Sequence, residues 1–236
     1  MGTNPYSAHW FRSFCVTVPP EWTRLDVEGL SALLPFSEFG EVLDIGCGTG
    51  RVAGPLADLG YHVTGIDSSP EAIATAKRLH PNASFIEVDQ RDLDQIPSEA
   101  FDSCLVLWHS FGYFTSYENE LVLNGIRRRL RLGGRVVFDL FNPEYARLHT
   151  GKQQSRGLDV ISAETSIRED RLTSTIDYID GHRDRIEFQI YEPAVFTEIC
   201  RASGLQVTQV LSNWKPVDHV SREHVRYQMV LEAIEA

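Results

Sequence analysis

Short runs of apolar, largely β-branched residues recur along the chain: EVLDIG at 41–46, YHVTGID at 61–67, ASFIEVD at 83–89, FDSCLVLW at 101–108 and GRVVFDLF at 134–141. Each has the length and composition of a buried strand. Between them, apolar residues return every three or four positions, as at 69–80 and 118–130, which predicts helices. Strands and helices in alternation predict an α/β fold with a parallel sheet covered on both faces. The punctuation agrees, with Ser68 or Ser69 ahead of Pro70 at one helix start, Gly60 as one helix stop and Gly133-Gly134 as another. Pro55 fits a helix that begins near Arg51 or Val52, because first-turn amides lack internal partners.

Beyond residues 141–145 the rhythm changes. Three runs of alternating polarity, joined by polar turns at Glu169-Asp170 and Asp180-Gly181, predict an antiparallel meander over roughly 157–192. With its approach the insertion covers 145–192. A free three-stranded sheet would expose the face carrying Ile186, Phe188 and Ile190, so it is expected to pack over the carboxyl ends of the main strands. It would serve there as a lid on a substrate or as the contact of a homodimer. A helix at 193–204 stopped by Gly204, then strands at 205–214 and 225–234, complete the chain.

At 236 residues and 42% hydrophobic content, the chain can bury one substantial core, so 1–236 reads as a single domain. The net charge of −11, from 22 Lys plus Arg against 33 Asp plus Glu, gives no general attraction to nucleic acid or anionic lipid. A small molecule is the expected partner. Cys15, Cys47, Cys104 and Cys200 stand far apart without metal-ligand spacing, so no metal site or disulfide framework is expected. No leader pattern or long apolar run is present, and the reading is a soluble, cytoplasmic protein without a membrane span.

The stretch VLDIGCGTGR at 42–51 carries Gly46, Gly48 and Gly50 directly after the first strand. It has no Gly-Lys-Ser/Thr for a triphosphate, and its glycine spacing departs from the dinucleotide fingerprint. Asp44 lies within the strand, where it would repel a pyrophosphate and hold a cation. S-adenosylmethionine combines a ribose, an ammonium and a sulfonium with no phosphate, and it fits. Asp67 ends the second strand, where a carboxylate accepts ribose hydroxyls, and Asp89 ends the third, where one accepts from the adenine amino group.

These residues, together with FIEVDQRDL, FDSCLVLWHSFGYF and LRLGGRVVFDLFNPE, resemble the successive motifs of class I S-adenosylmethionine-dependent methyltransferases. The resemblance is to a small-molecule branch with an SFGYF-like stretch and a β insertion. It implies a Rossmann-like seven-stranded sheet, mostly parallel with the last strand antiparallel. It also implies cofactor contacts from Gly46, Cys47, Gly48, Asp67, Ser68, Asp89, Gln90, Arg91 and Trp108. In that family the N-terminal segment, here 1–35, caps the cofactor, which brings in Tyr6, Trp10 and Arg24.

Methyl transfer from a sulfonium needs alignment, desolvation and, for some acceptors, a base. His109 in WHSFGYF is the expected base or orienting group, with Tyr113 four residues on as the second catalytic candidate. FNPEY follows the fifth strand and reads as a turn opening a helix; the basic run at 127–135 reads as a solvated helix C-terminus. The expected function is N- or O-methylation of a small molecule. A protein or RNA methyltransferase, and a non-catalytic S-adenosylmethionine-binding protein, are the alternatives.

Overall fold

The computed structural model describes residues 7–14, 17–97, 100–153 and 157–235. In chain order the elements are α1 (Ala8–Phe14), α2 (Pro20–Leu33), β1 (Glu41–Ile45), α3 (Ala53–Asp58), β2 (His62–Asp67), α4 (Pro70–Leu79) and β3 (Ser84–Glu87). A 3-10 turn (Gln90–Gln95), β4 (Phe101–Val106), α5 (Ser116–Arg129), β5 (Leu130–Phe141) and α6 (Pro143–Leu148) follow. Then come β6 (Gly151–Gln153), β7 (Val160–Arg168), β8 (Arg171–Tyr178), β9 (Arg183–Gln189), α7 (Pro193–Ala202), β10 (Leu205–Ser212), β11 (Lys215–Pro216) and β12 (Arg226–Ala233).

The main sheet has eight strands in the order β11-β10-β12-β5-β4-β1-β2-β3. Strands β5, β4, β1, β2 and β3 pair in parallel, and β12 runs antiparallel to both β5 and β10. The eighth strand is the two-residue β11, a hairpin extension of β10. The central strands are buried almost end to end, as a sheet with helices on both faces requires. One apolar cluster joins this sheet to α5 and α7, and a second joins it to α2, α3 and α4.

Local chemistry sets the boundaries. Ser69 caps α4 by accepting from the Ala72 amide with Pro70 at the first position, and Thr115 with Glu118 forms a capping box on α5. Asn142 likewise caps α6 by accepting from the Glu144 amide. One expected boundary moves. The α5 helix stops at Arg129, and Gly133-Gly134 lie inside β5, where the pairing with β4 shifts register. Leu130 is buried and pairs with Phe101, so the chain has already turned back into the sheet; a Cβ on Gly134 would lie 2.8–2.9 Å from the carbonyl oxygens of Arg131 and Asp102.

The insertion is a four-stranded antiparallel sheet, β6-β7-β8-β9, one strand more than the alternation predicts. Its turns are a two-residue one at Glu169-Asp170, with Glu169 at φ +58, and a longer one over residues 179–182, with Gly181 at φ +87. Ile186, Phe188 and Ile190 are buried, in a third cluster that gathers Trp10 and Phe14 of α1, Tyr113 and Phe141. The insertion is joined to the main domain at Gly112, whose carbonyl accepts from the Gln189 amide at 2.8 Å. Gly112 sits at φ +98, and a Cβ there would lie 2.5 Å from the Gln189 carbonyl oxygen.

Candidate active site

A cavity of about 740 Å³ opens where β1, β2 and β3 end, the usual place for a ligand in an open α/β sheet. The strand ends and the glycine loop make its first wall. Gly46, Gly48 and Gly50 all have positive φ, and the Gly46 and Cys47 amides donate to the Ile66 carbonyl at 2.8 and 2.9 Å. The loop is thereby pinned to the end of β2. Asp67 completes the pin, accepting from the Gly48 amide at 3.0 Å through one oxygen and from the Ser69 amide at 2.9 Å through the other. Burial pushes its carboxyl above the ordinary range against the pull of those amides.

Asp44 is 3% exposed, and burial raises its carboxyl to about 7, with Arg51 opposing and Asp67 reinforcing the shift. A carboxylate so reluctant to ionise in the bare cavity is the counterpart of a cationic ligand. The carboxylate of Asp89 accepts from the Arg91 amide and is clasped by the Arg91 guanidinium, with contacts of 2.8–3.1 Å. Its neighbour Gln90 lines the cavity with a buried Oε1 that has no hydrogen-bond partner, an acceptor left for a ligand donor.

The second wall comes from the loop after β4 and from α2. Trp108 and His109 both adopt left-handed backbone, at φ +50 and +63. Buried Asp139 stabilises the turn: its carboxylate accepts from the Trp108 amide at 3.1 Å and its carbonyl from the His109 amide at 3.2 Å. Asp139 also accepts from Arg226 and from Gln228. The Arg51 and Arg226 guanidinium carbons each lie 4.3 Å from the centre of the Trp108 ring. Arg51 donates to Asp26 at 2.8 Å and to Thr23 at 3.0 Å, which seats α2 on the glycine loop. Among the described residues Arg51 is the one guanidinium on the cavity lining.

The third wall is aromatic. Trp10, Phe11 and Phe14 of α1, Trp22 of α2, and Tyr113 and Phe114 beyond β4 line the cavity. The insertion contributes no lining residue among the described residues; it braces α1 from behind. Ser7 donates to Asp184 at 2.6 Å, His9 pairs with Asp180 at 2.8 Å and stacks on His182 at 4.0 Å, and Leu158 donates to the Ser13 carbonyl at 3.0 Å.

The cavity therefore gathers Asp44, Gly46, Cys47, Gly48, Asp67, Ser68, Asp89, Gln90, Trp108, Trp10 and Tyr113. It does not gather Arg24, Arg91 or His109. Arg24 is exposed and pairs with Glu28 one turn along α2; Arg91 is occupied by Asp89 and Glu118. His109 is turned away by its left-handed backbone into a water-sized gap against Phe141 and Phe188, where its Nδ1 is buried without a partner and burial lowers its pKa to about 3. Tyr6 and Cys15 lie outside the described residues. Sequence reasoning missed Arg51 and the aromatic residues Phe11, Phe14 and Trp22 as wall-formers, and Asp26 as the buried acid behind Arg51. Asp26 did leave a trace: it is an acid in the buried stripe that α2 makes with Val27 and Leu30.

Comparison with known proteins agrees with this construction. A family model described as a methyltransferase domain matches residues 42–134, from β1 into β5. The cypemycin N-terminal methyltransferase of a Streptomyces species is 28% identical over 200 residues, covering 77% of this chain and 78% of that protein. The chain spans about half the length, or less, of three other curated relatives that it matches. An S-adenosylmethionine-dependent methyltransferase of Clostridium acetobutylicum shares the fold with a TM-score of 0.77, at 16% identity and 96% coverage of both chains. So does an S-adenosylmethionine-bound amino pentose methyltransferase of Micromonospora echinaspora, with a TM-score of 0.67, 16% identity and 90% coverage of both. The family match falls on the glycine loop and strand ends that build the acidic wall, and the chain shares nearly its whole fold with these S-adenosylmethionine-dependent methyltransferases.

Proposed function

We propose that the chain is an enzyme that transfers a methyl group to the amine nitrogen of a small molecule with an apolar body. The observation that carries this reading is the composition of this cavity, acidic where the strands end and aromatic across α1, α2 and the loop after β4. S-adenosylmethionine supplies a methyl group activated for in-line displacement by its sulfonium. Asp67 and Asp89 accept from ribose and adenine donors, and the unpartnered Gln90 Oε1 takes a further donor of the base. Asp44 faces the ammonium, and Arg51 faces the carboxylate of the amino-acid end. The aromatic wall holds the acceptor and excludes water. The acceptor nitrogen attacks with its lone pair, the carbon–sulfur bond breaks, and the resulting ammonium loses its proton to solvent. A neutral amine needs no base, which is consistent with His109 standing outside the cavity. The relative named for methylation at an N-terminus supports nitrogen as the acceptor atom. The N-terminal helices act as the cap and the β insertion as its brace.

The test is transfer of labelled methyl from S-adenosylmethionine into a cell extract fractionated by mass, with the product identified by mass spectrometry. Label in a small amine is expected. Label in protein or RNA would overturn the small-molecule reading, an O-methyl product would overturn the choice of nitrogen, and cofactor binding without transfer to any fraction would overturn catalysis.

A further inference from the structure

We infer that Asp26 is a positioning residue for the cofactor's amino-acid end, acting through Arg51 and Trp108. This rests on the reading above that Arg51 faces that end.

Asp26 is 3% exposed, and three donors from three distant parts of the chain converge on it. Its Oδ2 accepts from Arg51 Nη2 and Trp108 Nε1, both at 2.8 Å, and its Oδ1 accepts from Trp214 Nε1 at 3.1 Å. Arg51 and Trp108 both line the cavity; Asp26 and Trp214 do not. Trp214 sits in the left-handed turn between β10 and β11 at φ +63, and α2 makes room for it with Gly29, where a Cβ would lie 2.5 Å from the indole. The turn, the helix glycine and the buried acid thus form one arrangement whose output is the placement of an arginine and a tryptophan on the cavity wall.

The donor count dictates the residue type. A carboxylate presents two acceptor oxygens and no donor, which suits three N–H groups. An asparagine of the same shape presents one oxygen and one NH₂, so at least one N–H must face another N–H. Removing the Trp214 donor relieves that conflict, because the amide NH₂ can then lie on the vacated side while its oxygen serves Arg51 and Trp108.

The experiment compares two nucleosides by calorimetry: S-adenosylhomocysteine, which carries the amino-acid end, and 5′-methylthioadenosine, which lacks it. In Asp26→Asn, S-adenosylhomocysteine affinity is expected to fall on the order of tenfold, the scale of one hydrogen bond to a charged group, with 5′-methylthioadenosine held within about twofold. The double variant Asp26→Asn with Trp214→Phe is expected to bind S-adenosylhomocysteine at least as well as Trp214→Phe alone. A purely structural role predicts equal losses for both nucleosides; equal losses, or no loss for either, would overturn the assignment. If Asp26→Asn does not fold, the double variant against Trp214→Phe decides, and weaker S-adenosylhomocysteine binding in the double variant overturns it. Wild-type protein that binds neither nucleoside would instead overturn the cofactor reading beneath it.

Discussion

The acidic and aromatic walls of the cavity are built in opposite ways. On the acidic wall two of the three carboxylates are fixed by backbone close to them in sequence or on the adjoining strand end: Asp67 by the Gly48 and Ser69 amides, Asp89 by the amide of Arg91. The aromatic wall is held from a distance. Trp10 and Phe14 stand on α1, which is tied through Ser7 to Asp184 of β9 and through His9 to Asp180 in the β8–β9 turn. Under the proposed function, ribose and adenine recognition rests on short-range backbone geometry, and acceptor recognition on side chains held from elsewhere in the chain.

That contrast can be broken or sharpened by experiment. The largest effect is expected at the joint between the two sheets. Gly112→Ala places a Cβ at positive φ and against the Gln189 carbonyl, costing about 3–5 kcal/mol of strain and displacement. The melting temperature should drop on the order of 10 °C, and an unchanged melt would mean that the sheets are not rigidly joined there. Next, Asp67→Asn should weaken S-adenosylhomocysteine binding about ten- to a hundredfold by calorimetry, since it removes one charged acceptor from the ligand and from the glycine loop.

Asp44 gives a pH signature. Its carboxyl titrates at about 7 in the empty protein and near 4 when unfolded, so its contribution to ligand-free stability is full below the unfolded value and is lost as pH rises through 7. A cationic ligand prefers the ionised form. S-adenosylmethionine affinity should therefore rise up to about tenfold between roughly pH 6 and 8, with proton release on binding, while the ligand-free protein loses thermal stability as pH rises from about 4 to about 7. A flat affinity profile would remove Asp44 from the cation site. On the aromatic wall, Phe14→Ala should raise the acceptor KM severalfold and leave S-adenosylhomocysteine affinity within about twofold. A matching loss of cofactor affinity would show that the walls are not independent.

The smallest effect is expected at His109. His109→Asn keeps a residue tolerant of left-handed backbone and should leave turnover within about twofold. Because the imidazole is held neutral down to about 3, the native residue also contributes stability that is lost as pH falls from its unfolded value near 6.5 towards 3. The variant should flatten that acid limb of the stability curve. A turnover loss of a hundredfold would restore a catalytic role.

What was readable beforehand follows the same division. Strand ends, the glycine loop and its acids are set by residues adjacent in sequence, so Asp44, Asp67 and Asp89 could be placed from spacing alone. Position after a strand was not enough for His109, because two successive left-handed residues, stabilised by Asp139 far along the chain, reverse the side chain's direction. The Gly133-Gly134 pair was misplaced because glycine marks a bulge within a strand as readily as a helix stop. The insertion's alternation marked three of its four strands but not what the sheet rests on, which depends on α1 packing from the other end of the chain.

The two indole donors to Asp26 come from residues 82 and 188 positions away, and the guanidinium from 25 away. On a ribosome adding about 5–20 residues per second, Trp214 is made on the order of ten seconds or more after Asp26. Until the β10–β11 turn emerges, the acid has an unfilled oxygen and α2 has an empty notch at Gly29. The notch on α2 and the second oxygen of its buried acid are thus filled late, after the glycine loop and the strands that carry the three acids have been made.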